Sequence, residues 1–380
     1  MTDLQKFAET ESLVRDREKL AAELDRTKRE LANSRAALRA QESELEQLRS
    51  LGDLKVTLQQ TPDWLITPKR KTPGETHSAI ICTQLSDTHF DEVVNPLEIH
   101  GLNAFNREIG VQRLERWVNG IEFLANNYMN SNYLHYDGIV VSLTGDTFTG
   151  EIHPELKETN EGLTPETIRF WFPKMRGAML RLAELFGRVH VISVPGNHGR
   201  LTMKKHAKKK AAGNIDWLVA GLIADSLAED DRFTFDVGEA DDALVRVYDT
   251  LFLHTHGDET NGGGGIGGIW PPIKRLQARK YARYAELGLN FDWLVMGHWH
   301  QYVHSQGLIV NGSLKGYDEW TASMNFNPER AQQSFWLVTP ENGVTGAFPI
   351  ICADPKAEGW EKYRKNPTAK KVGPIARVGA

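Results

Sequence analysis

The sequence is poor in cysteine and has no long apolar run. Cys82 and Cys352 are the only two cysteines among 380 residues, which excludes a disulfide-stabilised scaffold and favours a reducing compartment. No apolar run reaches the roughly 18 residues of a membrane span. The polar N-terminus carries no recognisable secretory signal. We therefore expect a cytoplasmic protein that does not enter the membrane.

The sequence also lacks an excess of charge of one sign. Lys and Arg number 45 and Asp and Glu number 50, so the formal net charge is −5. This balance rules out a globally basic nucleic-acid coat protein, although it leaves room for a local basic patch. With 40% hydrophobic and 25% charged residues, the composition is that of a folded protein rather than a disordered one.

Residues 1–51 contain no glycine, proline or tryptophan and have a seven-residue leucine repeat. One series is Leu24, Leu31, Leu38 and Leu45, and the interleaved series is Leu13, Leu20, Thr27, Ser34, Gln41 and Leu48. This pattern predicts an N-terminal coiled-coil helix, with a homodimer favoured. A long helix folded back on its own globular domain is the alternative. The polar residues of the second series leave the oligomer number open.

The remaining chain divides into three further segments. Residues 52–76 are predicted to be a linker, because Pro62, Pro68 and Pro73 punctuate them and Lys69-Arg70-Lys71 form a short solvated basic run. Residues 77–350 are predicted to form the folded domain. Residues 351–380 are lysine-rich and weakly patterned, which predicts an extended basic tail.

Short apolar runs alternate with longer amphipathic stretches from residue 77 onward. The predicted buried strands are Ser78–Leu85, Gly138–Leu143, Val189–Val194, Leu251–Thr255 and Trp293–Met296. The predicted helices are Phe105–Met129, Thr164–Leu185, Asn214–Leu227 and Lys274–Leu287. This alternation indicates a layered α/β domain. The later strands Leu308–Val310 and Phe335–Val338 are predicted to form a meander.

Polar residues of the kind that bind metals follow five of these strands. The clusters are Asp87-Thr88-His89, Gly145-Asp146, Gly196-Asn197-His198, His254-Thr255-His256-Gly257-Asp258 and Gly297-His298-Trp299-His300. Open α/β sheets place their sites at the carboxyl ends of strands, and residues two apart on an extended chain point to the same side. About seven nitrogen and oxygen ligands, without thiolate, fit two ions that share a carboxylate and suit manganese, iron or zinc. A single pair of this kind is more often structural, but five strand-end clusters in one chain favour a metal site.

The order and spacing of these motifs resemble the calcineurin-like metallophosphoesterase superfamily over residues 77–350. The motifs DTH, GD, GNH, HTHG and GHWH carry the resemblance, and Asn311-Gly312-Ser313 is similar to the closing turn common in that superfamily. The fold implied by the resemblance is a layered β-sandwich flanked by helices. Phe148, in a GD-x-F form, looks more like the SbcD-type DNA repair nucleases, whereas GDTFTGE lacks the GDxVDRG signature of protein phosphatases.

The resemblance also implies roles for individual residues. Asp146 would bridge two divalent ions, and His198 would act as the proton donor or charge stabiliser. The other ligands would be Asp87, His89 and His300 for one ion and Asn197, His256 and His298 for the other. His256 is preferred because it directly precedes a glycine, and His254 is the fallback ligand or a supporting residue. Because Gly199 follows His198, where many members carry an acid, an orienting carboxylate would come from Asp258 or be absent.

The implied chemistry is hydrolysis of a phosphoester by an enzyme that uses two divalent ions. Two ions, most simply Mn²⁺ with iron or zinc as alternatives, would make a bridging hydroxide that attacks phosphorus without a covalent intermediate. His198, if protonated, could also give a proton to the leaving oxygen.

Three features bear on the substrate. Basic residues crowd directly after the GNH motif, with no acid before Ile215, and can bind phosphates or form a solvated face; they include Arg200, Lys204, Lys205 and Lys208. The run Gly262–Gly268 is read as a flexible lip over the site, with an inert surface loop as the alternative. Aromatic residues near the motif loops can stack on bases or pack in the core; they are Trp270, Trp299, Tyr302, Tyr317 and Trp320.

These features predict a phosphodiesterase that is a nuclease acting on DNA or RNA, in exonuclease or endonuclease mode, with a role such as DNA repair. A small-molecule phosphodiesterase, for cyclic nucleotides for example, is the first alternative. A docking module with a degenerate metal site is the second. The repair-nuclease resemblance also suggests a coiled-coil ATPase partner.

Overall fold

The fold is known from a computed structural model that describes residues 17, 19–21, 23–42, 45, 61–69, 77–129, 133–260 and 267–354. The predicted coiled coil at 1–51 and the linker at 52–76 therefore lie only partly within the described residues. Most of the glycine-rich run and most of the basic tail lie outside them.

The chain divides into two compact units, Met1–Lys55 and Val56–Ala380. In the first unit residues 23–42 are helical, as the leucine repeat predicts. Leu24, Leu31 and Leu38 expose 56, 50 and 57% of their surface. Half or more of the surface of each of these three leucines is therefore exposed.

Eleven strands occur in the described part of the second unit. They are β1 (His77–Gln84), β2 (Leu134–Leu143), β3 (Val189–Ser193), β4 (Phe233–Asp236), β5 (Asp242–Val247), β6 (Thr250–Thr255), β7 (Trp293–Met296), β8 (Val303–Ser305), β9 (Leu308–Val310), β10 (Gln332–Thr339) and β11 (Gly343–Ile351). One six-stranded sheet has the order β11-β10-β1-β2-β3-β4, and one five-stranded sheet has the order β5-β6-β7-β9-β8. Strands β1 to β4 run parallel, as do β6, β7 and β9.

The described helices of this unit are α1 (Asp63–Ile66), α2 (Arg107–Phe123), α3 (Pro154–Thr159), α4 (Thr164–Phe186), α5 (Ile215–Ser226), α6 (Trp270–Glu286) and α7 (Glu319–Ser323). A π-helical turn, Leu124–Tyr128, continues α2. The Asn106 side chain accepts a hydrogen bond from the Ile109 amide at the start of α2, and Gly187, at φ 78°, ends α4. These are the cap residues that such helix ends favour.

Two apolar cores separate the layers. Ile80, Cys82 and Val140 on one face of the first sheet are buried in a core that also contains Phe252 and Val295 of the second sheet. The alternate residues of the first sheet face its helices in a second core; this core includes Ala79, Ile81, Ile139, Val141, Trp117, Trp171 and Met175. Strand alternation of period two produces this division. The result is a mixed α/β fold with two packed sheets and flanking helices.

Part of the predicted linker packs into the folded unit. Leu65 of α1 is fully buried in the core between the sheets, and its carbonyl accepts a hydrogen bond from the Tyr248 amide. At the other end, β11 extends to Ile351 and Cys352 is buried. The ordered structure therefore extends on both sides of the predicted boundaries at 77 and 350.

The predicted meander of late strands is wrong. Leu308–Val310 pairs in parallel with β7 in the second sheet, whereas β10 pairs antiparallel with β1 in the first sheet. The local sequence did not show which strands these two runs pair with, because both runs are short and apolar. Their pairing depends on contacts between residues that are far apart in the sequence.

Candidate metal centre

The polar clusters that follow the strands meet at one edge of the molecule. Asp87 follows β1, Asp146 follows β2 and Asn197 follows β3, at the carboxyl edge of the first sheet. His256 and His298 follow β6 and β7, at the corresponding edge of the second sheet. Because the strands in question are parallel within each sheet, their carboxyl ends bring loops that are distant in sequence together.

Asp87, His89 and His300 form the first group of ligand atoms, all within 4.8 Å of one another. The Nε2 atoms of His89 and His300 lie 3.1 Å apart, and the His300 Nε2 lies 3.6 Å from an Asp87 carboxylate oxygen. All three side chains are buried. Two imidazole nitrogens and a carboxylate that converge in this way are a suitable donor set for one divalent ion.

Asp146, His256 and His298 form the second group, within the same 4.8 Å limit. The His256 Nε2 lies 3.0 Å from the Asp146 Oδ2 and 3.2 Å from the Asn197 Oδ1. The His256 Nδ1 is 2.7 Å from the Thr144 carbonyl. A hydrogen bond donated by Nδ1 to that carbonyl leaves the Nε2 lone pair available to a cation.

Asp146 links the two groups. It joins His89 and His198 in a third group of ligand atoms within 4.8 Å. Its Oδ1 accepts a hydrogen bond from the His198 amide at 2.7 Å, while its Oδ2 is the oxygen next to His256. Its position between the two sets of histidines is the one that a bridging carboxylate requires.

The Thr149 carbonyl orients the His198 ring. It lies 3.0 Å from the His198 Nδ1, and the His198 ring centroid is 4.6 Å from that of His89. A backbone carbonyl therefore orients this histidine, in place of an acidic side chain after the GNH motif. The Nε2 of His198 is the ring nitrogen left available to the centre.

Five of the proposed ligands have left-handed backbone conformations. The φ angles are 50° for Asp87, 44° for His89, 50° for Asp146, 72° for His298 and 52° for His300. Such φ values are uncommon for residues other than glycine and concentrate at functional sites, where surrounding contacts hold them. The Asp87 amide donates to the Gly145 carbonyl and the His89 amide to the Asp146 carbonyl, which holds the first two loops together.

Close approach explains the glycine of the third motif. A Cβ atom on Gly196 would collide with the backbone nitrogen and the carboxylate of Asp146. Only glycine lets the loop after β3 come this close to the loop after β2.

Burial keeps most of the histidines neutral. It lowers the pKa of His298 to about 3 and the pKa values of His89 and His300 well below 6.5. Burial likewise raises the pKa of the Asp87 carboxyl to about 7. A neutral imidazole retains the lone pair that a metal needs, so these histidines can act as ligands at neutral pH.

His256 differs from the other histidines. Burial lowers its pKa, but the Asp146 carboxylate outweighs that effect and raises the pKa of His256 to about 10. The pKa of Asp146 is held well below 3.8, because His256 and His198 outweigh the burial that would raise it. A proton between these two side chains balances the buried negative charge, and a cation bound there would take over that role.

Asp216 is a supporting residue that the sequence analysis missed. Its carboxylate accepts hydrogen bonds from the amides of Asp146 at 3.0 Å, Thr147 at 3.1 Å and Gly196 at 3.0 Å. It therefore ties the loop after β2 to the loop after β3. Its position at the start of α5, two residues after the Asn214 cap, is the sequence signal that could have found it.

A buried ionic cluster supports the loop that carries His89. The Lys315 Nζ contacts the carboxylates of Glu92, at 2.7 Å, and Asp318. A Glu92 oxygen lies 3.4 Å from the His89 Nδ1. Burial lowers the pKa of Lys315, but the two carboxylates outweigh it, so the pKa stays raised and the lysine charged. Lys315 lies two residues after the Asn-Gly-Ser turn, and none of the motifs in the sequence predicted this cluster.

The two predicted supporting residues, His254 and Asp258, are both buried. His254 is buried on β6, opposite Ala243 of β5, and belongs to none of the three groups of ligand atoms in the described residues. Asp258 pairs with Lys205 at 3.2 Å and with Lys210 at 3.0 Å.

Three of the four predicted substrate-binding residues line a cavity of about 680 Å³ that reaches Gly196 and Asn197. Arg200, Lys205 and Lys208 line it, whereas Lys204 is exposed nearby and is not part of its lining. Arg200 uses its guanidinium to donate to the carbonyls of Asn197, Thr202 and Met203. That side chain therefore also shapes the loop.

The aromatic residues near the motifs differ in exposure. Trp299 is buried, whereas Trp270 and Trp320 expose 45 and 49% of their surface. Tyr302 and Tyr317 are half-buried.

Across the described residues, no helix is both long enough and apolar enough to cross a membrane.

Comparison with known proteins gives only distant likeness in structure. No protein-family model and no curated protein matches the chain. Its structure is similar to that of the Thermus thermophilus sulfate thiohydrolase SoxB in complex with glycerol, with 11% sequence identity and a TM-score of 0.28. The match covers 79% of this chain and 62% of SoxB, so the chain spans less than two thirds of that protein.

Proposed function

We propose that this protein is a metal-dependent phosphodiesterase of the calcineurin-like type and that its substrate is nucleic acid. One observation carries the proposal: Asp146 joins two adjacent sets of buried imidazole and carboxylate ligand atoms. The donor set contains no thiolate, which suits manganese first, with iron or zinc as alternatives. The motif resemblance to the SbcD-type nucleases agrees with a nuclease.

The chain offers a complete set of ligands for two ions. Asp146 would bridge the ions, and the remaining six ligands would divide into Asp87, His89 and His300 for one ion and Asn197, His256 and His298 for the other. Two divalent ions bound there would supply Lewis acidity, which activates water and neutralises charge on a phosphoryl group.

His198 is the proposed catalytic side chain next to these ligands. With its Nδ1 bound to the Thr149 carbonyl, the Nε2 is positioned to stabilise negative charge on the phosphoryl oxygens or to donate a proton to the leaving oxygen. Neither role requires a covalent bond to the protein.

The cavity beside Asn197 supports a polyanionic substrate. Its lining includes Arg200 and the lysines at 205, 208, 209 and 210. Lysines near a scissile phosphodiester strengthen binding to a nucleic-acid backbone through the release of counterions.

A small-molecule phosphodiesterase is the second candidate, and a specific observation favours it. Asp258 pairs with both Lys205 and Lys210, and Asp241 and Glu259 also line the cavity. The cavity is therefore less positive than the sequence suggests, and its volume lies in the range of small-ligand pockets.

The hydrolytic reaction can be tested with a panel of substrates and divalent ions. Bis-p-nitrophenyl phosphate should be hydrolysed in preference to the p-nitrophenyl monoester, and DNA or RNA should be cleaved with Mn²⁺. An Asp146→Asn variant should lose both diesterase activities. Absence of diester hydrolysis with Mn²⁺, Fe²⁺ and Zn²⁺ would refute the function.

Charge variants can distinguish the two substrate classes. If the substrate is nucleic acid, Lys204→Gln/Lys208→Gln should weaken its binding and reduce the salt slope by about 1 for each phosphate that a lysine no longer neutralises. The matched control is Lys174→Gln/Arg181→Gln on α4, which removes two charges away from the cavity. Equal activity of both double variants on oligonucleotides would favour the small-molecule alternative.

A further inference from the structure

Trp320 lies beside the candidate metal centre with half of its surface exposed. It belongs to α7, and its exposed fraction is 49%. Its ring centroid is 5.9 Å from that of His300, with an interplanar angle of 67°. An exposed indole that touches a proposed metal ligand lies within reach of whatever flanks a phosphate at that centre.

Neighbouring aromatic packing fixes the Trp320 ring. The ring of Phe326 lies 5.5 Å from it at an angle of 83°. The indole therefore makes edge-to-face contacts with an imidazole and a phenyl ring, which are favourable geometries for aromatic pairs. The exposed remainder of the indole is an apolar surface that is already oriented before a ligand arrives.

The start of α7 is tied to the buried ionic cluster. The Asp318 carboxylate accepts a hydrogen bond from the Thr321 amide at 2.8 Å, and Lys315 pairs with the same carboxylate. Glu92, the other partner of Lys315, lies next to His89. The helix that carries Trp320 is thus anchored to the same cluster as a metal-ligand loop, which lowers the entropy cost of stacking a ligand on it.

Trp270, which has a similar exposed fraction, makes no ring contact with a proposed ligand among the described residues. Exposure alone does not single out Trp320; its contact with His300 does. The cavity lined by lysines borders Asn197, a proposed ligand of the second ion, whereas Trp320 borders His300, a proposed ligand of the first.

We propose, building on the phosphodiesterase function above, that Trp320 is a stacking platform for the nucleobase next to the scissile phosphate. Trp320 would determine specificity: it would favour phosphodiesters that carry a base over those that carry only a sugar. The flat face of an indole suits every nucleobase, so this preference would be largely independent of base identity.

Competition by a matched pair of ligands tests this role. Thymidine 5′-monophosphate and 2-deoxyribose 5-phosphate, which differ by the base, would each compete with bis-p-nitrophenyl phosphate hydrolysis. We expect the wild-type protein to bind the nucleotide roughly tenfold more tightly. In Trp320→Ala the ratio should fall close to one, and in Trp320→Phe it should be largely retained.

Two controls separate stacking from a structural effect. Tyr133→Ala removes an aromatic residue with 69% exposure that directly precedes β2, at the edge opposite the centre, and should leave the ratio unchanged. Metal content is measured for every variant. If Trp320→Ala loses metal, the ratio is measured in Trp320→Leu instead. Leucine keeps apolar packing against His300 but offers no aromatic face.

An unchanged ratio in the metal-loaded alanine or leucine variant would overturn the role of Trp320, as would a ratio near one in the wild-type protein. In either outcome the wild-type protein would still hydrolyse bis-p-nitrophenyl phosphate. The failure of the proposed function would instead appear as no hydrolysis of bis-p-nitrophenyl phosphate by the wild-type protein.

Discussion

Single residues show how burial prepares the candidate centre for cations. Asp146 brings negative charge into a buried site where most neighbouring histidines are neutral, whereas burial raises the pKa of Asp87 to about 7. The sequence predicted these ligands because each stands at a strand end in a recognisable motif. It did not predict Glu92, whose supporting role arises only when the fold brings it to a ligand loop, and it marked Asp216 only as an acid in the first turn of a helix.

Replacing Asp216 should weaken metal binding without removing a ligand. In Asp216→Asn the side-chain NH2 group would face backbone N–H groups that donate to the carboxylate in the wild-type protein. The loops after β2 and β3 would then lose some of the hydrogen bonds that hold them together. We expect Mn²⁺ affinity to fall about 10- to 100-fold, as for other residues that support metal ligands. Isothermal titration with Mn²⁺ measures the change. An unaltered affinity would show that Asp216 does not position the ligands.

His190 should make stability fall in acid. Burial lowers its pKa to about 4 from 6.5, so the unfolded chain takes up a proton near pH 6.5 while the folded chain does not. The contribution of His190 to stability is therefore present above pH 6.5 and is lost as the pH falls toward 4. Between pH 7 and pH 5 the loss is about 2 kcal/mol.

The measurement is urea unfolding at pH 7 and pH 5 for the wild-type protein and His190→Gln. Glutamine does not titrate and can still bond to the Thr234 hydroxyl, which lies 2.8 Å from the His190 Nδ1. The variant should show a smaller difference between the two pH values. The same pH dependence in both proteins would contradict a buried neutral His190.

At the scale of elements, strongly apolar strands were easier to predict than weakly patterned ones. The predicted bounds Trp293–Met296 and Leu308–Val310 are those observed for β7 and β9. The local sequence pattern did not indicate β4, β5, β8 or β11. β5 contains Asp242 and Arg246 among its six residues, and the buried Asp242 pairs with Lys280 and accepts a hydrogen bond from the Tyr284 hydroxyl, both on α6. Tertiary contacts thus stabilise a strand that the local sequence pattern does not predict.

The cluster beneath α7 should contribute strongly to stability. In Lys315→Met, the carboxylates of Glu92 and Asp318 would stay buried without their cation. Removing one member of a buried ion pair costs about 3–5 kcal/mol, and we expect a loss of that size in the free energy of urea unfolding at pH 7. Lys157→Met is the control, because its pair with Glu151 is exposed and is worth less than about 1 kcal/mol. Equal losses of unfolding free energy in both variants would show that the buried ionic cluster contributes no more than an exposed ion pair.

At the scale of the whole molecule, sequence patterns predicted the α/β class and the edge that carries the site. They did not predict how the strands divide between two sheets. Strand β10 lies next to β1 although more than 240 residues separate them, as in the pairing of Cys82 with Trp336. Such pairings depend on the closure of the core, which periodicity within a short window does not describe.

The leucine row of the first unit should hold two copies of the chain together. Leu24, Leu31 and Leu38 are at least half exposed, and pairing of two such rows would remove their apolar surface from water. We expect a dimer by analytical ultracentrifugation and a monomer for Leu31→Glu. Asn33→Glu, two residues away and off the leucine series, should remain a dimer. A monomeric wild-type chain would contradict this assembly.

Counting the metal ions bound per chain tests whether Asp146 bridges two ions. After loading with Mn²⁺ and gel filtration, elemental analysis should find two ions per wild-type chain and at most one in Asp146→Asn. Asp230→Asn, which changes a carboxylate paired with Arg232 just before β4, should retain both. Fewer than two ions in the wild-type protein, or two in Asp146→Asn, would contradict a centre bridged by Asp146.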